Sequence, residues 1–146
     1  MKRFLLLSLA LMVALAACAP AAQTPAADAL KVSNGTLEKT YTNADLKALG
    51  DAQATINGIT YLGVPLTVLL ADAGIDPAAL SAVKAVAADG FSANYDAALY
   101  NLPDTIVAYA QADGPLSAED APFRMVLPKE GGKLNPRQLT EIIAIP

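Results

Sequence analysis

The sequence predicts a sheet-dominated α+β fold with short helices over residues 30–146. Short β-branched and apolar segments recur along this region, and Gly-containing turns separate several of them. The helical patterns between them cover only a few residues each, and no internal repeat is present. Runs of strands with a few helices indicate an α+β domain, and a chain of 146 residues is long enough for one such domain.

Two hairpins are predicted early in the domain. Asn-Gly pairs at 34–35 and 57–58 indicate tight turns, because both residues tolerate the positive φ that two-residue hairpin loops require. The strands that these turns connect are predicted at 30–33, 36–41, 54–56 and 59–61.

Two short helices are predicted beside these hairpins. Thr42 with Asp45 forms a variant of the capping box and predicts a helix over 45–49. Pro65 suits the first position of a second helix, which Gly74 ends. The spacing i, i+3, i+4, i+7 predicts one buried stripe on this helix, formed by Leu66, Leu69, Leu70 and Ala73. Asp76-Pro77 predicts a further helical turn.

The second half of the domain is predicted to be mostly strand. The strands are predicted at 83–87, 91–95, 106–110, 123–127 and 140–145. Asp-Gly pairs at 89–90 and 113–114 supply turns, and residues 96–99 form a single helical turn. Residues 130–133 read as a loop.

Composition excludes several kinds of chemistry. The chain has no His, so it has no imidazole base, no Ser-His-Asp triad and no His-ligated haem. One Cys excludes an internal disulfide and a Cys-rich metal site. The net charge of −4 argues against nucleic acid as a partner, since nucleic-acid binding depends on Lys and Arg that neutralise phosphates.

The N-terminus predicts export and lipid anchoring. Lys2 and Arg3 precede an uncharged apolar run over 4–17, too short to span a bilayer. The run ends in Leu-Ala-Ala-Cys, which resembles the bacterial lipoprotein signal and implies cleavage of residues 1–17 and acylation of Cys18. A plain secretory signal with an incidental Cys is the alternative. Residues 18–29 are predicted to form the acylated Cys and a flexible tether.

These features predict the location of the mature chain. Loss of Lys2 and Arg3 leaves 8 basic and 14 acidic side chains, a net charge of −6. The acylated Cys18 makes the lipid bilayer the first predicted partner. Lipoproteins kept at the inner membrane typically carry Asp after the Cys; because Ala19 stands there, we expect the periplasmic face of the outer membrane in the cell envelope.

Several segments together resemble one protein family. They are residues 41–49, the Gly-Val-Pro-Leu-x-x-Leu-Leu element within 63–75, Ala-Asp-Gly-Phe-Ser at 88–92, 106–109, 113–116, the Pro-x-Arg-x-Val-x-Pro element at 122–128, and 142–145. In order and spacing they resemble the molybdopterin-binding domain of the sulfite oxidase family, in its small stand-alone form. The Gly-Val-Pro-Leu element is the most specific of them.

One departure from the family shapes the expected chemistry. The catalytic members bind molybdenum through a Cys thiolate upstream of the Gly-Val-Pro-Leu element, and residues 53–62 contain no Cys. Cys18 lies before the tether and is predicted to be acylated. We therefore expect no catalytic residue, no metal ligand and no bound cofactor.

The basic residues near the C-terminus are the candidate anion site. Arg124, Lys129, Lys133 and Arg137 fall within fourteen positions, with Gly131-Gly132 among them. The resemblance adds that the family's cofactor carries a phosphate; without it, a solvated charged face is the simpler interpretation. Asp89 and Tyr95 complete the candidate ligand-binding set, although Asp89 also fits plain turn chemistry and Tyr95 a half-buried strand position.

The predicted function is a membrane-anchored, non-catalytic module that binds a small anionic ligand or a protein partner in the envelope. Two alternatives stay open. One is a molybdopterin-dependent oxidoreductase or a pterin-holding accessory subunit, in which case molybdopterin is the cofactor. The other is a purely structural envelope protein.

Overall fold

A computed structural model describes residues 28–146 of the chain. The predicted signal peptide of residues 1–17, Cys18 and the tether up to residue 27 lie outside the described residues. Within residues 28–146, no helix is long and apolar enough to cross a membrane.

Ten strands and three short helices make up the described domain. The strands are β1 (Leu30–Ser33), β2 (Glu38–Tyr41), β3 (Ala52–Ile56), β4 (Ile59–Pro65), β5 (Ala82–Ala87), β6 (Ser92–Tyr95), β7 (Ile106–Gln111), β8 (Gly114–Pro115), β9 (Arg124–Val126) and β10 (Leu139–Ile145). The helices are α1 (Asn43–Leu49), α2 (Leu66–Asp72) and α3 (Ala97–Tyr100), and 3-10 turns cover Pro77–Ala79 and Gly132–Leu134.

The strands form two sheets, so the predicted sheet-dominated α+β class is confirmed. One sheet has the order β2-β1-β10-β5-β6, and β1 and β10 are its parallel pair. The other has the order β3-β4-β7-β8, with β9 also pairing with β7. Because β10 pairs with both β1 and β5, the C-terminal strand lies in the middle of the first sheet.

Local signals place the two longer helices as the sequence predicts, with one correction. Thr42 caps α1, and its side chain and that of Asp45 form the reciprocal capping box. Leu66, Leu69 and Leu70 are fully buried on α2, which confirms these positions of the stripe, whereas Ala73 is the C-cap and is partly buried against the same apolar cluster. Pro65 was predicted inside the helix but is the last residue of β4 and the N-cap of α2, because its backbone is extended at ψ 135°.

The main core combines buried side chains from both sheets and from the three helices, and β7 contributes to two apolar clusters. Val107 and Tyr109 join the main core, whereas Ile106 and Ala108 join a second cluster with Val126. These alternating positions explain why four successive residues of β7 are buried.

A close backbone contact joins β4 to β7 at Gly63. A Cβ built there would lie 2.8 Å from the Cα of Ala108 and closer still to the carbonyl oxygen of Val107. Real Cβ atoms do not approach backbone atoms so closely, so this sheet requires a glycine at position 63.

Candidate functional site

A surface cleft of about 400 Å³ lies where the β5–β6 turn meets the segment before β10. The cleft combines an exposed aromatic ring, two carboxylates, two amides and one guanidinium. Its lining residues are Ala87, Asp89, Phe91, Glu119, Gly132, Asn135, Pro136, Arg137 and Gln138.

The first wall is the β5–β6 turn, which forms as its Asp-Gly pair predicts. Gly90 has φ +84°, a conformation that an L side chain adopts at a cost. The carboxylate of Asp89 accepts the backbone N–H of Phe91 through Oδ1 at 2.9 Å. This turn leaves Phe91 45% exposed at the cleft.

The second wall of the cleft is the loop before β10, and the side-chain amide of Asn135 holds this loop in place. Its Oδ1 accepts the backbone N–H of Leu127 at 2.6 Å, and its Nδ2 donates to the carbonyl oxygens of Glu130 and Gly131 at 3.1 and 3.0 Å. Asn135 is 3% exposed, so these bonds are shielded from water. One buried amide thereby fixes the loop that carries Lys129 and Lys133.

Gln138 joins the two walls. It has φ 49°, the left-handed region that residues other than glycine rarely adopt. Its backbone N–H donates to the carbonyl of Asp120 at 3.2 Å, and its carbonyl accepts the N–H of Ala88 at 2.9 Å. The bonds on both sides hold this conformation, as is common at functional sites.

Behind the cleft lies a buried ion pair that no sequence pattern predicts. Arg124 and Asp120 are 5% and 4% exposed, and Arg124 Nη1 donates to Asp120 Oδ1 at 2.9 Å. Tyr61 donates its hydroxyl to Asp120 Oδ2 at 3.1 Å and accepts from Arg124 Nη1 at 2.8 Å. Burial is the main reason that the pKa of Tyr61 is raised. The guanidinium of Arg124 is thus paired with the Asp120 carboxylate of the same chain.

Arg137 is the basic side chain that lines the cleft, among the residues that the structure describes. Its Nε lies 3.2 Å from Asp120 Oδ1, and its Nη1 donates to Glu119 Oε2 at 2.9 Å. The side chain is 54% exposed. Asp120 therefore connects the buried Arg124 to the exposed Arg137.

The other predicted site residues lie apart from the cleft surface. Tyr95 is fully buried, donates its hydroxyl to the carbonyl of Leu134 at 3.0 Å, and has a pKa raised by burial. Lys129 and Lys133 are exposed on the neighbouring loop and do not line the cleft. Asp89, and Arg137 of the basic cluster, line the cleft, whereas Tyr95, Arg124, Lys129 and Lys133 do not; ligand binding at any of these residues stays a prediction.

Two reasons explain why the residues predicted from the sequence differ from those that form the cleft and the ion pair behind it. Arg137 belongs to the basic cluster that the sequence shows, but nothing in the pattern separates it from Lys129 or Lys133. The pairing of Asp120 with Arg124 depends on a turn from Ser117, whose carbonyl accepts the Asp120 N–H at 3.0 Å. No periodicity in the sequence marks that turn.

A second polar cluster lies away from the cleft, on β2 and α2. The Oδ2 atom of Asp72 accepts from Lys39 Nζ and from the Tyr41 hydroxyl, both at 2.7 Å. These two hydrogen bonds hold the pKa of Asp72 below its usual range. The Lys39 ammonium also lies 5.1 Å from the centre of the Tyr41 ring. Because Asp72 ends α2, the cluster ties that helix to the edge strand.

Comparison with known proteins identifies the family. Residues 22–146 match the oxidoreductase molybdopterin binding domain, and the chain belongs to this family. The fold is similar to that in the crystal structure of the sulfane dehydrogenase SoxCD from Paracoccus pantotrophus, with a TM-score of 0.68 and 18% identity. That match covers 82% of this chain and 39% of the SoxCD chain. Comparison with curated proteins found no similar sequence.

The family match corrects the prediction that the chain binds no cofactor. That prediction relied on the missing Cys, whereas membership in this family points to molybdopterin binding. The cleft suits the organic part of such a cofactor, since it offers a planar ring, carboxylates and a guanidinium. Residues 28–146 contain no Cys, and in this range no three His, Cys, Asp or Glu side chains come together as a metal site. The residues present therefore fit the phosphorylated pterin, and they offer no thiolate to the metal.

Proposed function

We propose that the chain is a lipid-anchored module of the cell envelope that binds molybdopterin, or a related phosphorylated pterin, without turning over a substrate itself. The observation that carries the proposal is the cleft of about 400 Å³ in a chain of the molybdopterin-binding family. When bound with its metal, this cofactor supplies redox chemistry. The residues of the cleft bind and orient the organic part.

Each chemical part of a phosphorylated pterin has a partner in the cleft. Phe91, which is 45% exposed, offers a face on which a flat bicyclic ring stacks. Asp89 uses Oδ1 for its turn, and Oδ2 suits the adjacent N–H donors of the pterin's amino edge. Arg137 suits the phosphate, because a guanidinium binds phosphate oxygens in a bidentate manner.

The absence of a thiolate supports the non-catalytic part of the proposal. The chain's single Cys, Cys18, stands directly after the apolar signal segment and before the predicted tether. A thiolate is the soft protein ligand that tunes a metal of this kind. The oxidoreductase alternative draws support from the family description, so metal content discriminates the two functions.

Pterin content of the native protein tests the binding part. The full chain is purified with detergent from membranes of its own host, and bound pterin is oxidised and measured by fluorescence. We expect about one pterin per chain, and several-fold less in Phe91→Ala and Arg137→Gln. Leu37→Ala is the matched control, because Leu37 is also 45% exposed and does not line the cleft.

Elemental analysis of the same samples tests the non-catalytic part. Pterin without stoichiometric molybdenum supports a binding module. Stoichiometric molybdenum overturns that part and favours the oxidoreductase. Absence of pterin from the wild-type protein, with folding intact, overturns the binding proposal.

The anchor is tested separately. We propose that Cys18 is acylated and holds the domain at the periplasmic face of the outer membrane, where it meets an envelope partner. Cys18→Ser is expected to leave the precursor uncleaved or to release the protein from the detergent phase. Normal maturation and membrane fractionation of Cys18→Ser would refute the anchor, and density-gradient fractionation decides between the two membranes.

A further inference from the structure

The two ends of the Arg137 guanidinium are held in different ways. Nε lies 3.2 Å from Asp120, whose side chain is 5% exposed and is also bound by Arg124 and Tyr61. Nη1 donates to Glu119 at 2.9 Å, and the Glu119 side chain is 80% exposed. The Asp120 end is fixed by a buried network, whereas the Glu119 end can exchange with solvent.

Glu119 therefore occupies the position that an anionic ligand needs. It lines the same cleft and takes a guanidinium N–H that would otherwise face a phosphate oxygen. Glu119 and Asp89 give the cleft two carboxylates against one guanidinium. An incoming anion must displace the Glu119 carboxylate and also approach its negative charge.

We propose that Glu119 is a specificity-determining residue that competes internally with the phosphate of the ligand for Arg137. This inference rests on the proposed function, because it concerns the same cleft. Asp120 holds the Arg137 side chain at the cleft while the ligand displaces the Glu119 carboxylate. Glu119 lowers the affinity for phosphorylated ligands and leaves that for neutral ligands unchanged, so it limits the preference for a phosphorylated pterin over an unphosphorylated one.

The expected effect is small and measurable. An exposed ion pair contributes modestly, so removing the competitor raises phosphate affinity by about two- to fivefold. Glu119→Gln removes the charge and keeps the size of the side chain. Glu130→Gln is the matched control, because it makes the same charge change beside the cleft at a residue that does not line it.

The experiment is an NMR titration of the full chain in detergent, observing the backbone amides of Gly132 and Gln138. At pH 6.5 inorganic phosphate is the anionic probe, and unphosphorylated pterin, which is uncharged at this pH, is the neutral probe. We expect Glu119→Gln to bind phosphate about two- to fivefold more tightly than wild type, with unchanged pterin affinity. Glu130→Gln is expected to stay close to wild type for both probes.

Three results would overturn the inference. Unchanged or weaker phosphate binding by Glu119→Gln, with wild-type binding intact, overturns the competitor role and leaves the proposed function standing. An equal gain in Glu130→Gln assigns the effect to net charge. If neither probe shifts the cleft amides in wild type or Glu119→Gln, the cleft assignment itself fails, and the competitor role fails with it.

Discussion

Removal of the Arg124 guanidinium is expected to destabilise the domain strongly. Arg124→Met keeps the aliphatic volume and deletes the 2.9 Å ion pair with Asp120 and the 2.8 Å hydrogen bond with Tyr61. It also removes the guanidinium from the Tyr61 ring, whose centre lies 4.7 Å away. Asp120 is left as a buried carboxylate.

The magnitude follows from burial. Breaking a buried ion pair by removing one partner costs about 3–5 kcal/mol. Asp120 still accepts the Tyr61 hydroxyl and lies 3.2 Å from Arg137 Nε, so we expect the lower end, about 3 kcal/mol. For a domain of this size that lowers Tm by about 12 °C. Urea unfolding followed by circular dichroism measures the free energy of unfolding.

Arg137→Met is the matched control, since the same substitution there breaks a pair in which the arginine is 54% exposed. Its expected cost is below about 1 kcal/mol. If Arg124→Met lowers the free energy of unfolding no more than Arg137→Met does, burial does not strengthen the Arg124–Asp120 pair, and the prediction is wrong.

Three further predictions concern packing and charge. Gly63→Ala is expected to lower the free energy of unfolding in urea by more than about 2 kcal/mol, because the added Cβ meets the β7 backbone. Gly114→Ala is the control, since a Cβ there has nothing within 4 Å, and it should be neutral or slightly stabilising. Equal effects of the two substitutions would contradict the close contact at Gly63. Leu69→Ala, at a fully buried position, should cost about 2–5 kcal/mol, and a loss below about 0.5 kcal/mol would place that face of α2 in water. Asp72 has a lowered pKa in the folded state, so its contribution is present above the unfolded pKa of about 4 and is lost as pH falls through the folded value. Asp72→Asn should therefore lower stability at pH 7 by up to about 1 kcal/mol and leave it unchanged near pH 2, as urea midpoints across pH would show.

Much of the local structure could be predicted because its causes are local. The Thr42–Asp45 capping box, the Gly74 stop of α2 and the turn at Gly90 depend on residues within a few positions of each other. The family resemblance was also correct, since it relied on the order of such segments. The inference from a missing Cys to no cofactor was wrong, because the family match points to molybdopterin binding, and a Cys thiolate is a ligand of the metal rather than of the pterin.

The candidate site was predicted only in part, for a physical reason. Asp89 was found because its turn and its place at the cleft arise from the same dipeptide. Arg124 and Arg137 look equivalent in the sequence, and only the fold separates them. The turn from Ser117 brings Asp120 between them, so one guanidinium becomes buried and the other reaches the cleft.

The sequence by itself determined α1, α2, the hairpin turns and most strands, because hydrogen bonds and periodicity over a few residues specify them. It did not predict strand β8 or the 3-10 turn at Gly132–Leu134, where a loop was expected. The tertiary structure alone decided the pairing of β10 between β1 and β5 and the contact of Gly63 with β7. It also decided which charged side chains are buried in a low-dielectric environment and which stay exposed to solvent. These properties depend on residues far apart in the chain, whose approach is set by burial of the whole core rather than by any local pattern.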